Sequence, residues 1–478
     1  MKKSILLMSS LFALCALTTT SCGKTEKEED NKVKTYPHTL VNNGESDYEF
    51  IYPSVGATTE SAGASLLASY IHQSTGVNIP VKKDIERNTN KKFISFGKTN
   101  EYINSNLNLD KSKMNYDGYG IKTIGDNMFV IGGDSNVSYS YSALYLLEDF
   151  INFRGFHDTE IDFDYVNKIG FDDYELYDAP TFRNRDMHNG DLRISDDVGT
   201  YSLLLRNNPE VFSKYGNAHT CFKVVDPTAK PCVDVMSAID VDVNNQVSFK
   251  YQGNTVSGKV SSKEIAGDNV KLTIGGQTYI VDKNFKIKRT FAETSYISVH
   301  PDWFTGTSKS SQWCWSNDDL FETAAMKVEE YMETLMTSSV NYIFISQNDL
   351  QDWCSCEKCN QSRDKYGTDA AVVVKFINKM ADRVKAKQIE LGIEDQFLRV
   401  GTFAYEVTTT QPPVKTDENG NYVPIDEEVI LRDNAFIRIA PINTDYSKPM
   451  SSSSNVPIAE AFKGWSVLTN NIVKWMIV

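Results

Sequence analysis

The C-terminal half of the chain alternates between apolar stripes at helical spacing and short apolar runs. Residues 342–345 form an unbroken apolar run, which is typical of a strand buried on both faces of a parallel sheet. Amphipathic helices are predicted on either side of it, at 316–336 and 368–391. The order predicts an α/β fold with a (β/α)8-type barrel over residues 180–478, truncated near its seventh strand. The later predicted elements are at 397–405, 435–442, 457–465 and 471–478.

Two further regions are predicted before residue 316. Residues 36–175 mix strand and helix patterns and predict a small α+β domain. Between residues 235 and 290, short runs of alternating apolar and polar residues are separated by turn pairs, which predicts an all-β subdomain inserted into the barrel domain. Cys221 and Cys232 could form a disulfide at the root of this insertion.

The first residues carry a targeting pattern. Two lysines precede an apolar stretch at 5–17 that is too short to span a bilayer. Small residues then lead to Cys22, and this resembles a bacterial lipoprotein cleavage site. We therefore expect a signal peptide at 1–21, lipidation of Cys22, and a charged flexible tether at 22–35. The alternative is an ordinary secretory signal with an incidental cysteine.

Charge and composition narrow the classes of partner. The formal net charge of −14 argues against nucleic acid and against electrostatic binding to anionic lipid. A hydrophobic fraction of 41% is enough for large packed cores, so a disordered chain is excluded. The acidic tether resembles the surface-export signal of Bacteroides-type lipoproteins. That resemblance implies an outer-membrane or cell-surface protein that contacts the membrane through a lipid anchor only.

Several short motifs of the barrel region are similar to one family. They are His219-Thr220, the segments at 300–304 and 314–317, Ser-Gln-Asn-Asp at 346–349, and Trp-Cys-x-Cys-x-x-Cys at 353–359. Together they resemble a Bacteroides-rich lipoprotein family with domain of unknown function 4838. The order of the N-terminal elements looks like the front of glycoside hydrolase family 20 (β-hexosaminidases) and of the α-glucuronidases. The resemblance covers most of residues 40–475, and the family commonly has Glu where this chain has Asp302.

The resemblance to family 20 implies a pair of catalytic carboxyl groups. Asp349, at the end of the predicted strand, corresponds in position to the general acid and would protonate a leaving sugar oxygen. This role needs a raised pKa, for which Trp353 could supply an apolar wall. Glu406 could act as base or orient an acetamido group, with Tyr405 as a hydrogen-bond donor. The alternatives are a turn closed by Asn348 and Asp349 and a solvated glutamate at 406.

Other residues are candidates for contacts with a glycan. His219, His300 and Arg185 lie near predicted strand ends and could hydrogen-bond sugar hydroxyls, and Asn348 is a further candidate. Trp303 could stack on a sugar ring. For each polar residue the alternative is a structural or surface role, and for Trp303 it is a place in the core.

Four cysteines give the most specific pattern in the chain. Cys354, Cys356 and Cys359 lie within six residues, and Cys314 is a natural fourth member. Four thiolates would form a closed structural zinc site. In an exported protein the same cysteines more often form disulfides, although Cys354 and Cys356 are too close in the chain to pair easily with each other. The sequence leaves both possibilities open.

Two functions are therefore expected from the sequence. The first is an exported glycoside hydrolase-like lipoprotein that acts on a glycan with Asp349 and Glu406 and needs no cofactor beyond a possible structural zinc. The second is a glycan-binding lipoprotein with an incomplete barrel and no catalysis. Whether the chain is an enzyme stays open at this point.

Overall fold

The computed structural model describes residues 35–156, 160–183, 185, 203–207, 212–334, 340–406 and 411–475. The chain divides into two compact units, Met1–Pro209 and Glu210–Val478. This boundary lies later than position 180, where the barrel domain is predicted to begin. The predicted signal peptide, Cys22 and all but the last residue of the predicted tether lie outside the described residues. None of the described helices has the length and apolar character that crossing a membrane requires.

The first unit contains a six-stranded mixed sheet and two smaller strand pairs. Its described helices are α1 (Thr58–Thr75), α2 (Asn100–Asn104) and α3 (Ser138–Ile151). Its strands are β1 (His38–Asn42), β2 (Tyr48–Tyr52), β3 (Val81–Lys83), β4 (Lys92–Phe96), β5 (Tyr119–Ile124), β6 (Asn127–Gly132), β7 (Arg154–Gly155), β8 (Ile161–Asp162), β9 (Lys168–Phe171) and β10 (Glu175–Asp178). The large sheet has the order β10-β5-β6-β4-β2-β3, with parallel pairing from β6 to β3.

Helices α1 and α3 pack closely against each other beside this sheet. A Cβ atom at Gly63 would lie 2.6 Å from the carbonyl oxygen of Tyr139, so only glycine allows the two backbones to approach this far. Helix α1 ends at Gly76, whose φ of 74° places it in the left-handed region that stops a helix. These contacts make the α+β unit compact. The residues that form them serve its packing.

The second unit contains an antiparallel sheet and a parallel sheet. The antiparallel sheet has the order β11-β16-β12-β13-β14-β15 and encloses its own apolar core. It occupies the segment in which the alternating pattern predicts an all-β insertion. Cys221 and Cys232 at its root are free, buried thiols, so the disulfide expected between them is not formed. The six strands are β11 (Cys232–Ser237), β12 (Gln246–Tyr251), β13 (Asn254–Ala266), β14 (Asn269–Ile274), β15 (Gln277–Asp282) and β16 (Lys286–Phe291).

The parallel sheet is made of four strands that follow chain order. They are β17 (Tyr342–Phe344), β18 (Arg399–Ala404), β21 (Ala435–Ile439) and β22 (Ile472–Lys474), with a short hairpin of β19 (Val414–Thr416) and β20 (Tyr422–Pro424) between the second and third. The described helices of this unit are α4 (Cys221–Val224), α5 (Tyr296–Val299), α6 (Asp318–Met332), α7 (Glu357–Tyr366), α8 (Ala370–Leu391) and α9 (Val456–Ser466).

The α/β class is confirmed, but the described residues do not form a closed barrel. Strand β17 is one edge of the four-stranded sheet, and beyond it there is a single parallel bridge, from Tyr342 to Phe212. The barrel domain is predicted to begin at residue 180 with a strand over 180–188; residues 181–183 form a bend, and residues 184 and 186–202 are outside the described part of the chain. Over the described residues, an open four-stranded parallel sheet with helices is found in place of the predicted (β/α)8-type barrel truncated near its seventh strand.

One face of the parallel sheet is aromatic. Phe344, Phe403 and Phe436 are each at most 1% exposed and pack edge-on or tilted against one another. A Cβ atom at Gly401 would lie 2.1 Å from the ring of Phe436, so glycine makes room for that ring. The aromatic layer fixes the spacing of β17, β18 and β21, and with it the positions of the residues that follow β17 and β18.

Candidate active site and candidate metal centre

Asp349, Tyr405 and Glu406 come together just beyond the carboxyl ends of β17 and β18. The Tyr405 hydroxyl donates a hydrogen bond of 2.9 Å to Asp349 Oδ1. Gln351 Nε2 donates one of 3.0 Å to Glu406 Oε2. The neighbouring parallel strands end at the same edge, which is where α/β folds hold their chemistry. We call Asp349, Tyr405 and Glu406 the carboxylate cluster.

Tyr405 remains a hydrogen-bond donor over the physiological pH range. Burial raises the pKa of its hydroxyl to about 12, and the hydrogen bond to Asp349 and the charges of Asp349 and Glu406 act in the same direction. The phenol therefore stays protonated. Asp349 itself is exposed and Glu406 is half-buried, so both carboxyl groups can be reached from solvent.

His219 lies beside the carboxylate cluster. Its ring centroid is 5.5 Å from those of Phe403 and Tyr405, and its Nδ1 is 3.0 Å from the carbonyl oxygen of Gln347. A carbonyl only accepts, so Nδ1 carries a proton and a neutral ring leaves Nε2 as an acceptor. His219 has a φ of 49° and Glu406 has one of 54°, a left-handed conformation that costs about 1–3 kcal/mol at a residue other than glycine. Backbone strain of this kind clusters at functional sites.

Asn348 points into the protein. Its side-chain amide donates 2.9 Å hydrogen bonds to the carbonyl oxygens of Ser310 and Ser311, and it is 3% exposed. Gln312 completes a reciprocal pair, because its Oε1 accepts from the Asn348 backbone N–H at 3.0 Å and its Nε2 donates to the Asn348 carbonyl at 2.8 Å. Asn348 thus positions the loop that carries Asp349. Its predicted contact with a glycan stays a prediction.

His300 and Trp303 lie at the base of the antiparallel sheet. Their rings stack with centroids 3.9 Å apart, and Trp303 is 1% exposed. His300 Nε2 is 3.2 Å from Asp234 Oδ2, to which Arg289 also donates at 2.8 Å. Although burial opposes it, His300 and Arg289 hold the pKa of Asp234 below its ordinary value. These contacts fit the core alternative for Trp303 and a structural role for His300.

Arg185 and Trp353 also contact protein groups. Arg185, in the first unit, pairs with the fully buried carboxyl of Asp117 and donates to the Arg206 carbonyl at 2.9 Å. Trp353, predicted as a wall beside Asp349, packs against the main hydrophobic core of the second unit. The carboxylate cluster with His219 is therefore the part of the predicted site that the structure brings together.

The four predicted cysteines converge on one point. All four Sγ atoms of Cys314, Cys354, Cys356 and Cys359 lie within 4.8 Å of one another, and we call them the cysteine cluster. The Sγ of Cys314 is 3.6 Å from that of Cys356 and 3.9 Å from that of Cys359, so the thiols are free. Hydrogen bonds from Cys314 and Cys354 lower the pKa of the Cys359 thiol to about 4. Cys359 lies in the first turn of α7, where a negative charge is favoured.

Residues 236–476, slightly more than half of the chain, match a family described as domain of unknown function (DUF4838). The chain belongs to the DUF4838 family. This confirms the family resemblance carried by the cysteine-rich motif, while the lipoprotein character stays a prediction. No curated protein matches the chain.

Solved structures of glycoside hydrolases are similar to this DUF4838 protein, with low sequence identities and low TM-scores. A chitobiase of Flavobacterium johnsoniae is 11% identical over 85% of this chain and 52% of its own, with a TM-score of 0.36. A β-N-acetylhexosaminidase of Bacteroides fragilis is 10% identical over 85% and 68%, with a TM-score of 0.33. A family GH115 4-O-methyl-α-glucuronidase is 10% identical over 91% and 54%, with a TM-score of 0.38. The chain thus spans about half the length of two of these proteins, and such TM-scores carry no argument about its chemistry.

Gln312, Gln351 and Gln347 were missed at the sequence level. Gln312 clamps Asn348, Gln351 contacts Glu406, and Gln347 supplies the carbonyl that orients His219. Gln347 lies two residues before the predicted acid, Asp349, which was a usable signal. Nothing in the sequence connects Gln312 with residue 348, because that contact depends on how two loops meet.

Proposed function

We propose that this DUF4838 protein is an exported, lipid-anchored hydrolase that cleaves glycosidic bonds with its carboxylate cluster. The observation that carries the proposal is the hydrogen bond from Tyr405 to Asp349 beside Glu406, at the carboxyl ends of neighbouring parallel strands. Paired carboxyl groups flanking a bond are the ordinary requirement for glycoside hydrolysis. The acidic net charge of −14 favours a neutral or weakly charged glycan over a polyanion.

Each member of the cluster has a distinct role in this proposal. Asp349, which is reachable from solvent, protonates the leaving sugar oxygen. Glu406, held by Gln351, acts as the base or orients an acetamido group of the substrate. Tyr405 stays protonated and donates a hydrogen bond within the cluster. His219 presents Nε2 to a sugar hydroxyl.

A second candidate function is glycan binding without catalysis. It is favoured by the exposure of Asp349, since a general acid is usually enclosed by an apolar wall, whereas the partly buried Trp353 packs against the core. In the described part of the chain the parallel sheet is also open rather than closed into a barrel. A binding protein would keep the polar groups at the strand ends and lose turnover.

A panel of aryl glycosides separates the two functions. Aryl N-acetylhexosaminides and aryl glucuronides come first, because the similar enzymes are named for these sugars. We expect turnover by the wild type and, on the phenyl glycosides, whose leaving oxygen is basic, a loss of about 10²–10⁴-fold in kcat for Asp349→Asn. The matched control is Asp364→Asn, an exposed carboxyl on α7, which keeps full activity. Sugar binding measured by calorimetry with no turnover by the wild type supports the second function.

The lipid anchor is tested separately. We expect labelled fatty acid to be incorporated into the full chain expressed in a Gram-negative host, and the label to be absent from Cys22→Ser. Equal labelling of the two proteins, or none in the wild type, contradicts the anchor. Protease digestion of intact cells then distinguishes surface exposure from a periplasmic location.

A further inference from the structure

We propose that the cysteine cluster binds one Zn²⁺ as a closed tetrathiolate site and thereby fixes the loop that carries Asp349. Its ligands come from two separate segments. Cys314 precedes α6, whereas Cys354, Cys356 and Cys359 lie at the end of the 345–356 loop and in the first turn of α7. The metal site itself does not depend on the proposed hydrolysis.

The distances between sulfur atoms distinguish a metal from disulfides. A disulfide holds its two sulfur atoms about 2.0 Å apart. Four sulfurs at about 2.3 Å from a central Zn²⁺ in tetrahedral geometry lie about 3.8 Å from one another. The observed separations of 3.6 and 3.9 Å from Cys314 to Cys356 and Cys359 match the tetrahedral value. All four atoms approach one another within 4.8 Å, which two independent disulfides would not require.

The surroundings of the sulfur atoms also suit bound thiolates. The Ser316 hydroxyl is 3.0 Å from the Sγ of Cys359 and 3.5 Å from that of Cys356. The backbone N–H of Cys356 donates to the Sγ of Cys354 at 3.5 Å. Arg363 donates to the Cys354 carbonyl at 3.1 Å, which brings a positive charge close to the cluster. Hydrogen bonds of this kind orient metal ligands and offset their charge.

A metal bound by four protein thiolates has no open position for water or substrate. The site is therefore structural. Residues 345–356 form neither helix nor strand, so this loop depends on side-chain contacts for its position. Gln312 holds its beginning at Asn348, and Cys314 holds its end through the metal. Both anchors come from residues 312–314, and Asp349 lies between them.

The experiment uses the mature full chain, purified without reductant or added metal. We expect about one Zn²⁺ per chain by elemental analysis. We also expect four cluster thiols that iodoacetamide modifies only after denaturation with a chelator. Replacing Zn²⁺ with Co²⁺ gives the visible absorption of a tetrahedral tetrathiolate. Two disulfides, seen as a mass lower by four hydrogens with no bound metal, overturn the proposal.

Variants separate a built site from an adventitious metal. Cys356→Ser, at the exposed ligand, weakens Zn²⁺ binding by about tenfold or more, measured by competition with a chromophoric chelator. The control is Cys232→Ala, which removes a buried thiol outside the cluster and keeps wild-type affinity. Equal affinities of Cys356→Ser and wild type mean that the metal binds elsewhere. The Co²⁺ spectrum of the wild type decides the matter if a variant fails to fold.

Discussion

The carboxylate cluster and the cysteine cluster are linked by one loop and are held in different ways. Cys314 and Cys359 are 3% and 2% exposed, and their sulfur atoms are surrounded by other cluster members. Asp349 is exposed and accepts a hydrogen bond from Tyr405. The cysteine cluster thus has two buried members that contact the other thiols, whereas Asp349 is open to a molecule from solution. The difference indicates a rigid support next to a reactive or binding edge.

The two clusters share an anchoring segment. Gln312 contacts Asn348 at the open end, and Cys314 belongs to the closed end. A catalytic carboxyl group must be held in place by rigid neighbouring residues, because a small displacement of a reacting group lowers the reaction rate strongly. The contacts that hold the loop can be removed one at a time.

Removing the metal should have the largest effect on stability. The free energy of metal binding at a structural zinc site adds to the free energy of unfolding. We therefore expect treatment with a chelator to lower the free energy of unfolding by at least about 3 kcal/mol, which corresponds to a fall in Tm of roughly 6–12 °C. Scanning calorimetry of the full chain measures it. Cys356→Ser is the comparison: because it binds Zn²⁺ more weakly, it should begin from a lower Tm and show a smaller fall. An unchanged Tm of the wild type contradicts a structural role for the cluster.

Asn348→Ala tests the anchor at the open end. The substitution removes the donor of the Ser310 carbonyl oxygen and leaves the buried Ser311 carbonyl oxygen unpaired, which we expect to cost about 2 kcal/mol of unfolding free energy. Urea denaturation measures this value. Asn254→Ala is the matched control, since Asn254 is exposed at the start of β13, and it should change stability by less than about 0.5 kcal/mol. Equal effects at the two positions would contradict an anchoring role for Asn348.

Tyr405→Phe should have the smallest effect on stability, and its signature is in the pH dependence. The pKa of Tyr405 is raised in the folded protein to about 12, above the ordinary value of 10. The folded state therefore favours the protonated phenol, and this contribution is complete below pH 10 and is lost as the pH rises toward 12.

The Tyr405→Phe variant lacks this contribution at every pH. The stability difference between wild type and variant should therefore shrink between pH 10 and pH 12, as measured by urea denaturation. A difference that is constant over this range indicates that Tyr405 ionises normally and is not held by Asp349.

Helices and strands of the parallel region were predictable from apolar spacing. The pattern at 368–391 gives α8 at Ala370–Leu391, and the run at 342–345 gives β17 at Tyr342–Phe344. The convergence of four cysteines was predictable because three lie in one short motif. The proposal of a metal in place of disulfides rests on the distances between sulfur atoms, which no spacing in the sequence supplies.

The directions of side chains at the site were not predictable. His219 and Glu406 adopt left-handed backbone conformations that their residue types disfavour, so no local preference indicates them. Asn348 and Asp349 are adjacent in the chain, but Asn348 is buried and Asp349 is exposed. Trp303 stacks on His300, three residues before it, and His300 Nε2 lies 3.2 Å from Asp234 of β11, a contact between segments distant in the chain. In each case tertiary packing determines the outcome.

The most direct test of the central claim compares leaving groups in the Asp349→Asn variant. A general acid is needed when the leaving oxygen is basic and is dispensable when it is a stable anion. We therefore expect the variant to lose about 10²–10⁴-fold in kcat/KM on alkyl glycosides or disaccharides and about tenfold or less on a dinitrophenyl glycoside. That pattern assigns proton donation to Asp349. An equal loss on both substrates contradicts it and leaves Asp349 as a residue that only binds or positions the glycan.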